Sequence, residues 1–132
     1  MTVLVDRARI ATQVWTQACR LDALLPGRGV AVLLPDDEQA ALFLLTDGTL
    51  AAVSNIDPFG RAAVMSRGIT GDRRGEPTVA SPLLKQVFSL ADGRCLDDPG
   101  GGAQRGGKGQ ESHALTVYDV RVTDGTVEIA HE

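Results

Sequence analysis

The apolar positions of this chain fall into short runs, some alternating and some continuous, broken by polar turns and with no amphipathic helix of any length. In the run after Gln13, Val14, Thr16 and Ala18 fall on one side, with Trp15, Gln17 and Cys19 on the other. That alternation predicts a strand. Residues 21–25 fit a single helical turn, stopped by Pro26-Gly27. Short apolar runs at 30–34, 40–45 and 50–54 follow, separated by the polar turn Pro35-Asp36-Asp37-Glu38 and by Asp47-Gly48. They read as a meander of three strands. The segment NIDPFG (55–60) breaks the pattern with a loop, and residues 61–77 read as a long surface excursion holding at most a short strand.

Residues 78–95 then present a loop between strands. Pro82 cannot donate to a sheet ladder, Val87 and Phe88 prefer strands, and Asp92-Gly93 between apolar residues is a hairpin signal. Alternation returns at 115–123, where Tyr118, Val120 and Val122 oppose Asp119, Arg121 and Thr123. Asp124-Gly125 turns the chain into a last strand through Val127 and Ile129. At least seven strands and no long amphipathic helix predict an all-β fold, a sandwich or barrel of antiparallel strands.

Length and glycine content refine the picture. The chain has 132 residues, enough for one domain with its own core. Residues 1–12 fit either a helical face (Ile10 with Val14) or an extended run (Val3 to Val5), and are read as an N-terminal extension to a single domain at 13–132. The segment 99–112 is read as a flexible Gly-rich insertion, because six of the ten residues from Gly100 to Gly109 are glycine. It is not a phosphate loop: neither glycine fingerprint is present, and no strand leads directly into it with a helix behind.

Charge and cysteine content exclude several classes. The formal net charge is −4 and no basic run stands out, so no nucleic-acid footprint is expected. No apolar run reaches the roughly 20 residues of a membrane-spanning helix. The N-terminus places its apolar run before its basic residues, the reverse of a secretion signal, so a cytoplasmic location is expected. Cys19 and Cys95 are too few for a disulfide framework. Two reduced thiols are the expectation, with a structural disulfide as the alternative.

Candidate chemistry is sparse. His113 and His131 are the only histidines, neither lies near a cysteine in sequence, and both read as solvated surface residues. Ser81, Asp57 and His113 supply the residue types of a hydrolytic triad, without the strand–turn–helix elbow that α/β-hydrolases require. The acidic pairs Asp36-Asp37 and Asp97-Asp98 read as turn formers. Asp57-Pro58-Phe59, followed by Arg61, Arg67, Arg73 and Arg74, reads equally as a solvated loop or as a docking rim anchored by Phe59.

Taken together, NIDPFG (55–60) and SPLLKQVFSLADGRCL (81–96) resemble the two cluster loops of Rieske iron–sulfur domains. In that family, paired cysteines hold one iron and paired histidines the other. The resemblance places the first Cys at Asn55, the first His at Asp57, the second Cys at Ser81 and the second His at Leu84, while Pro82, Phe88 and Gly93 remain as in the family. It therefore implies a Rieske-like β fold with a degenerate cluster-binding subdomain and no cluster in this chain.

A narrower resemblance joins LLPGRGVAVLL (24–34), ALFLLTDGTLAAVSNIDPF (41–59) and SRGITGDRRGEPTVASPLLKQVFSLADGRCLDD (66–98) to the small subunits of assimilatory NADH-dependent nitrite reductases. It implies a non-catalytic small subunit that binds and stabilises a large one. The large subunit would carry FAD, siroheme and an iron–sulfur cluster, and reduce nitrite to ammonia with NAD(P)H. Asp57, Pro58, Phe59, Ser81, Pro82 and Leu84 become the expected partner-binding residues, with no catalytic, cofactor-binding or metal residue expected. The competing readings are a cluster-less β binding module serving another oxidoreductase or a regulator, and a small hydrolase built on Ser81.

Overall fold

The structure, a computed structural model, describes residues 13–97 and 113–131. The N-terminal extension and the Gly-rich insertion of the sequence reading lie outside the described residues. Ten strands follow one another in these segments: β1 (Val14–Arg20), β2 (Arg28–Leu33), β3 (Gln39–Leu44), β4 (Leu50–Ser54), β5 (Ile69–Arg73), β6 (Glu76–Ala80), β7 (Val87–Ser89), β8 (Val117–Tyr118), β9 (Val120–Thr123) and β10 (Thr126–His131). Short 3-10 turns at Leu21–Ala23, Pro35–Asp37 and Met65–Arg67 are the only helical pieces among the described residues. No described helix is long and apolar enough to cross a membrane.

The strands form three antiparallel sheets, ordered β1-β10-β9, β2-β3-β4-β8 and β5-β6-β7. Strand β3 is the wall between two cores. Ala40 and Leu42 point into one core, with Val32, Val127 and Ile129. Ala41 and Phe43 point into the other, with Met65, Val79 and Phe88. Burial on both faces is why β3 is continuously apolar in sequence and does not alternate. Close approach at this wall also demands a glycine. A Cβ on Gly29 would lie 2.5 Å from a Phe43 ring carbon and 2.7 Å from the Ser66 carbonyl oxygen.

The meander β2-β3-β4, the turn at Leu21–Ala23 and the final strands stand where the apolar runs, the Pro26-Gly27 stop and the closing alternation place them. One region departs from it. The excursion at 61–77 contains most of a hairpin, with Ile69 opposite Ala80 and Arg73 opposite Glu76. Strand β5 is largely exposed on both faces and Ile69 is 77% exposed. It has no apolar period to reveal it, and its conformation is set by pairing with β6.

The Asp92-Gly93 turn closes a tight hairpin, with Phe88 bridging Cys95 and the Ser89 N–H donating to the Arg94 carbonyl at 2.9 Å. Cys19 packs against the first core and Cys95 against the second, and no disulfide joins them.

Candidate functional site: two matching turns and a buried carboxyl–hydroxyl pair

Two five-residue turns meet at one end of the β5-β6-β7 unit. One is Asp-Pro-Phe-Gly-Arg (57–61), after β4, and the other is Ser-Pro-Leu-Leu-Lys (81–85), between β6 and β7. They are built alike. In each, the backbone N–H of the fifth residue donates to the carbonyl of the first: Arg61 to Asp57 at 2.7 Å, Lys85 to Ser81 at 3.1 Å. In each, the fifth residue is left-handed, with φ of 61° at Arg61 and 66° at Lys85. In each, the first side chain caps its own turn. Asp57 Oδ1 accepts the N–H of Phe59 at 2.7 Å and of Gly60 at 3.1 Å, and Ser81 Oγ accepts the N–H of Leu83 at 3.2 Å. Proline second in the turn fits this geometry, because it presets φ and leaves no N–H to satisfy.

The two capping side chains are bonded to each other. The Ser81 hydroxyl donates to Asp57 Oδ2 in a short contact inside the protein. Asp57 is fully buried and Ser81 is 2% exposed. Both oxygens of the Asp57 carboxyl are therefore engaged, and the hydroxyl is saturated as both donor and acceptor. Buried polar groups are tolerated when they satisfy one another in this way. Asn55 is buried as well. Its amide donates to Gln39 Oε1 at 3.0 Å, and its Oδ1 accepts the Ser66 N–H at 2.7 Å. It ties the first turn to β3 and to the 3-10 turn at Met65–Arg67.

The residues singled out in the sequence separate by depth. Asp57 and Ser81 are closed to any partner and shape the turns from beneath. Phe59 is half-buried, not a projecting anchor. Its ring packs on Phe88 with centroids 6.1 Å apart, and His113 stacks on it at 4.2 Å. Pro82 and Leu84 are exposed, and Pro58 is half-buried. Sequence reasoning missed Leu83, 43% exposed, whose side chain lies against Gly60 of the other turn. It also missed Arg61 and Lys85 as matched positions. The repeat of polar residue, proline, two further residues and a basic residue was the available signal.

The histidines depart from expectation in one case. His113 is exposed, but His131 on β10 has a side chain only 12% exposed, facing Glu38 at 4.0 Å and the Tyr118 ring. It lines a cavity of about 360 Å³ together with Glu38, Tyr118 and Asp119. Among the described residues, no three of His, Cys, Asp and Glu converge to hold a metal ion.

The triad types do not form a triad. The Ser81 hydroxyl donates to a carboxyl and not to an imidazole, and its burial keeps it from any substrate carbonyl.

A family model described as a Rieske-like [2Fe-2S] domain matches residues 14–130. The nitrite reductase (NADH) small subunit of Salmonella typhimurium is 39% identical over 115 residues, covering 87% of this chain and 95% of that protein. A crystal structure described as the NADH-dependent nitrite reductase small subunit of Mycobacterium tuberculosis is 54% identical, with a TM-score of 0.78, covering 91% of this chain and 96% of that one. A third match lies within a much longer protein, the nitrite reductase [NAD(P)H] large subunit of Klebsiella oxytoca. It is 37% identical over 118 residues, which is 89% of this chain and 11% of that protein.

The residues at the cluster positions do not fit an iron–sulfur cluster. A [2Fe-2S] centre of this type takes two thiolates and two imidazoles. An amide, a carboxyl, a hydroxyl and an isobutyl group stand at Asn55, Asp57, Ser81 and Leu84, the four positions that the resemblance assigns to its ligands. The Asn55 amide is engaged by the protein's own groups, and Asp57 and Ser81 are bonded directly to each other.

Proposed function

The chain belongs to the Rieske-like [2Fe-2S] domain family, in its nitrite reductase small-subunit branch, and on that premise we propose that it acts as a non-catalytic accessory subunit. It binds the large subunit, stabilises it and shapes its electron path, without passing electrons itself. The flavin, siroheme and iron–sulfur groups, and the reduction of nitrite to ammonia, belong to the large subunit. Residues 13–132 act as one Rieske-like unit, in the cytoplasm. Pro58, Phe59, Pro82 and Leu84 form the contact face, with Asp57 and Ser81 holding it from below.

The observation that carries this reading is the Asp57–Ser81 bond. Side chains that satisfy one another stand at two of the four positions that the resemblance assigns to cluster ligands. A scaffold that keeps its loops without ligands retains a surface, not a redox centre. The 118-residue match inside a large subunit supports the pairing, since it puts a similar sequence in the same polypeptide as a nitrite reductase.

Two measurements test the reading. NADH-driven nitrite reduction is compared for the large subunit with and without this chain. The absence of both binding and any change in activity or half-life would refute the accessory role. Iron and acid-labile sulfide are then assayed in the purified chain, and a stoichiometric cluster would overturn the ligand argument.

A further inference from the structure

The two turns present a surface of uniform character. Leu84 is 55% exposed and Leu83 43%, and Ile56, just before Asp57 in the chain, is 39% exposed. Arg61 and Lys85 close the two turns, and both are exposed. Neither forms an ion pair with any described residue. Within 55–67 and 81–86 the one acidic side chain is Asp57, buried with both oxygens engaged. An apolar centre flanked by two cations thus stands on a chain whose formal net charge is −4.

The backbone gives a second, independent sign. A left-handed residue is strained for any side chain and free for glycine. Some turns here use glycine for it, with φ of 94° at Gly48 and 83° at Gly93, while Asp36, Asp37, Arg74 and Asp124 are left-handed as well, so what sets the two tip positions apart is that they match. Both tip turns instead carry a long basic side chain at that position. No described residue pairs with either cation, so among the described residues the strain has no return. Strained, unpaired residues at matched positions of two abutting loops mark a surface kept for contact.

We propose that this tip docks into an apolar patch on the large subunit flanked by two carboxylates, one facing Arg61 and one facing Lys85. The inference rests on the reading that the large subunit is the partner, and it specifies that partner's surface. Leu83 and Leu84 supply the desolvated centre. The two cations orient the approach and speed it electrostatically, and they favour a partner whose charge opposes the tip and not the chain as a whole.

The test uses the full chain and the intact large subunit. Wild-type affinity is measured over a range of ionic strength, and no complex at any ionic strength would defeat the subunit reading itself. Given a complex, the docking face is tested with four variants: Arg61→Glu with Lys85→Glu, Leu84→Asp, Arg61→Gly with Lys85→Gly, and Val122→Asp on β9 of another sheet.

Charge reversal is expected to weaken binding on the order of tenfold per residue and to flatten its salt dependence. Leu84→Asp weakens it comparably, and Val122→Asp leaves it unchanged. The glycine pair gives the sharpest reading: its melting temperature equals or exceeds wild type while its affinity falls. Wild-type affinity in the charge-reversed and glycine pairs, both still folded, would overturn the docking face and leave the subunit reading standing.

Discussion

Asp57 and Ser81 lie 24 positions apart in the chain and are joined side chain to side chain in a pocket closed to water. The bond links β4 to the β6–β7 connection, so the two halves of the tip are held by one polar contact as well as by Gly60 against Leu83. Removing either partner strands the other. Ser81→Ala is expected to cost roughly 1–3 kcal/mol, the penalty for a buried acceptor left unmet. Asp57→Ala is expected to cost about 3 kcal/mol, since two backbone caps go with it. In urea denaturation the double variant should show a coupling of about 1–2 kcal/mol. Strict additivity would show that the bond contributes nothing.

Gly93 closes the Asp92-Gly93 hairpin after β7. Its φ is +83°, and a Cβ there would lie 2.0 Å from the Leu115 carbonyl oxygen. Gly93→Ala is expected to destabilise by about 2–4 kcal/mol, combining left-handed strain with a backbone overlap. It should also move Leu115, which is buried in the second core and bonded to Gly93 through its N–H at 2.8 Å. A melting temperature within a degree of wild type would contradict this.

Tyr118 is the single tyrosine, so its phenol can be titrated by absorbance without ambiguity. Burial, then the hydrogen bond to Glu38 at 2.9 Å and the Glu38 charge, push its pKa up from 10.0 to about 12. The fold therefore favours the neutral phenol. Its contribution to stability is complete below pH about 10, the ordinary value for the unfolded chain, and is lost as pH rises through about 12. Glu38→Gln should lower the midpoint only part of the way towards 10, because burial is the larger cause. A midpoint at the ordinary value in the wild type would contradict the packing described.

The Arg121 guanidinium sits 3.9 Å from the centre of the Trp15 ring, and its Nε donates to Glu128 at 2.6 Å. Glu128 is 9% exposed and also accepts the Thr123 hydroxyl at 3.2 Å. This cluster crosses all three strands of the β1-β10-β9 sheet. Arg121→Ala is expected to cost about 1–2 kcal/mol and to alter the emission of the sole tryptophan. Arg121→Lys should recover only part, since a lysine lacks the planar fork that stacks and donates together. Full recovery by lysine would reduce the contact to charge alone.

Much of the fold was legible because it depends on consecutive residues. Alternation exposed β1 and the last strands, short apolar runs exposed the meander, and Asp-Gly pairs marked the turns. The residue types at Asn55, Asp57, Ser81 and Leu84, neither thiolates nor imidazoles, were legible too, and the resemblance is what assigns them to the cluster positions. The β5–β6 hairpin was not, because β5 is exposed and carries no apolar period. His131 was taken as solvated because it lies near the end of the sequence, yet β10 is the central strand of its sheet and places it against Tyr118.

The sequence by itself determined the strand runs and the turn chemistry, since each is a property of residues adjacent in the chain. It also held the matched turns, Asp-Pro-Phe-Gly-Arg and Ser-Pro-Leu-Leu-Lys, without saying that they touch. Only the tertiary structure decided that Asp57 and Ser81 face inward and satisfy each other while Leu83, Leu84, Arg61 and Lys85 face outward. The physical reason is that hydrogen-bond satisfaction is a pairwise matter. A buried carboxyl is tolerable only if its donors arrive, and here one donor comes from another turn, brought across by the packing of β6 and β7 on the β3 wall.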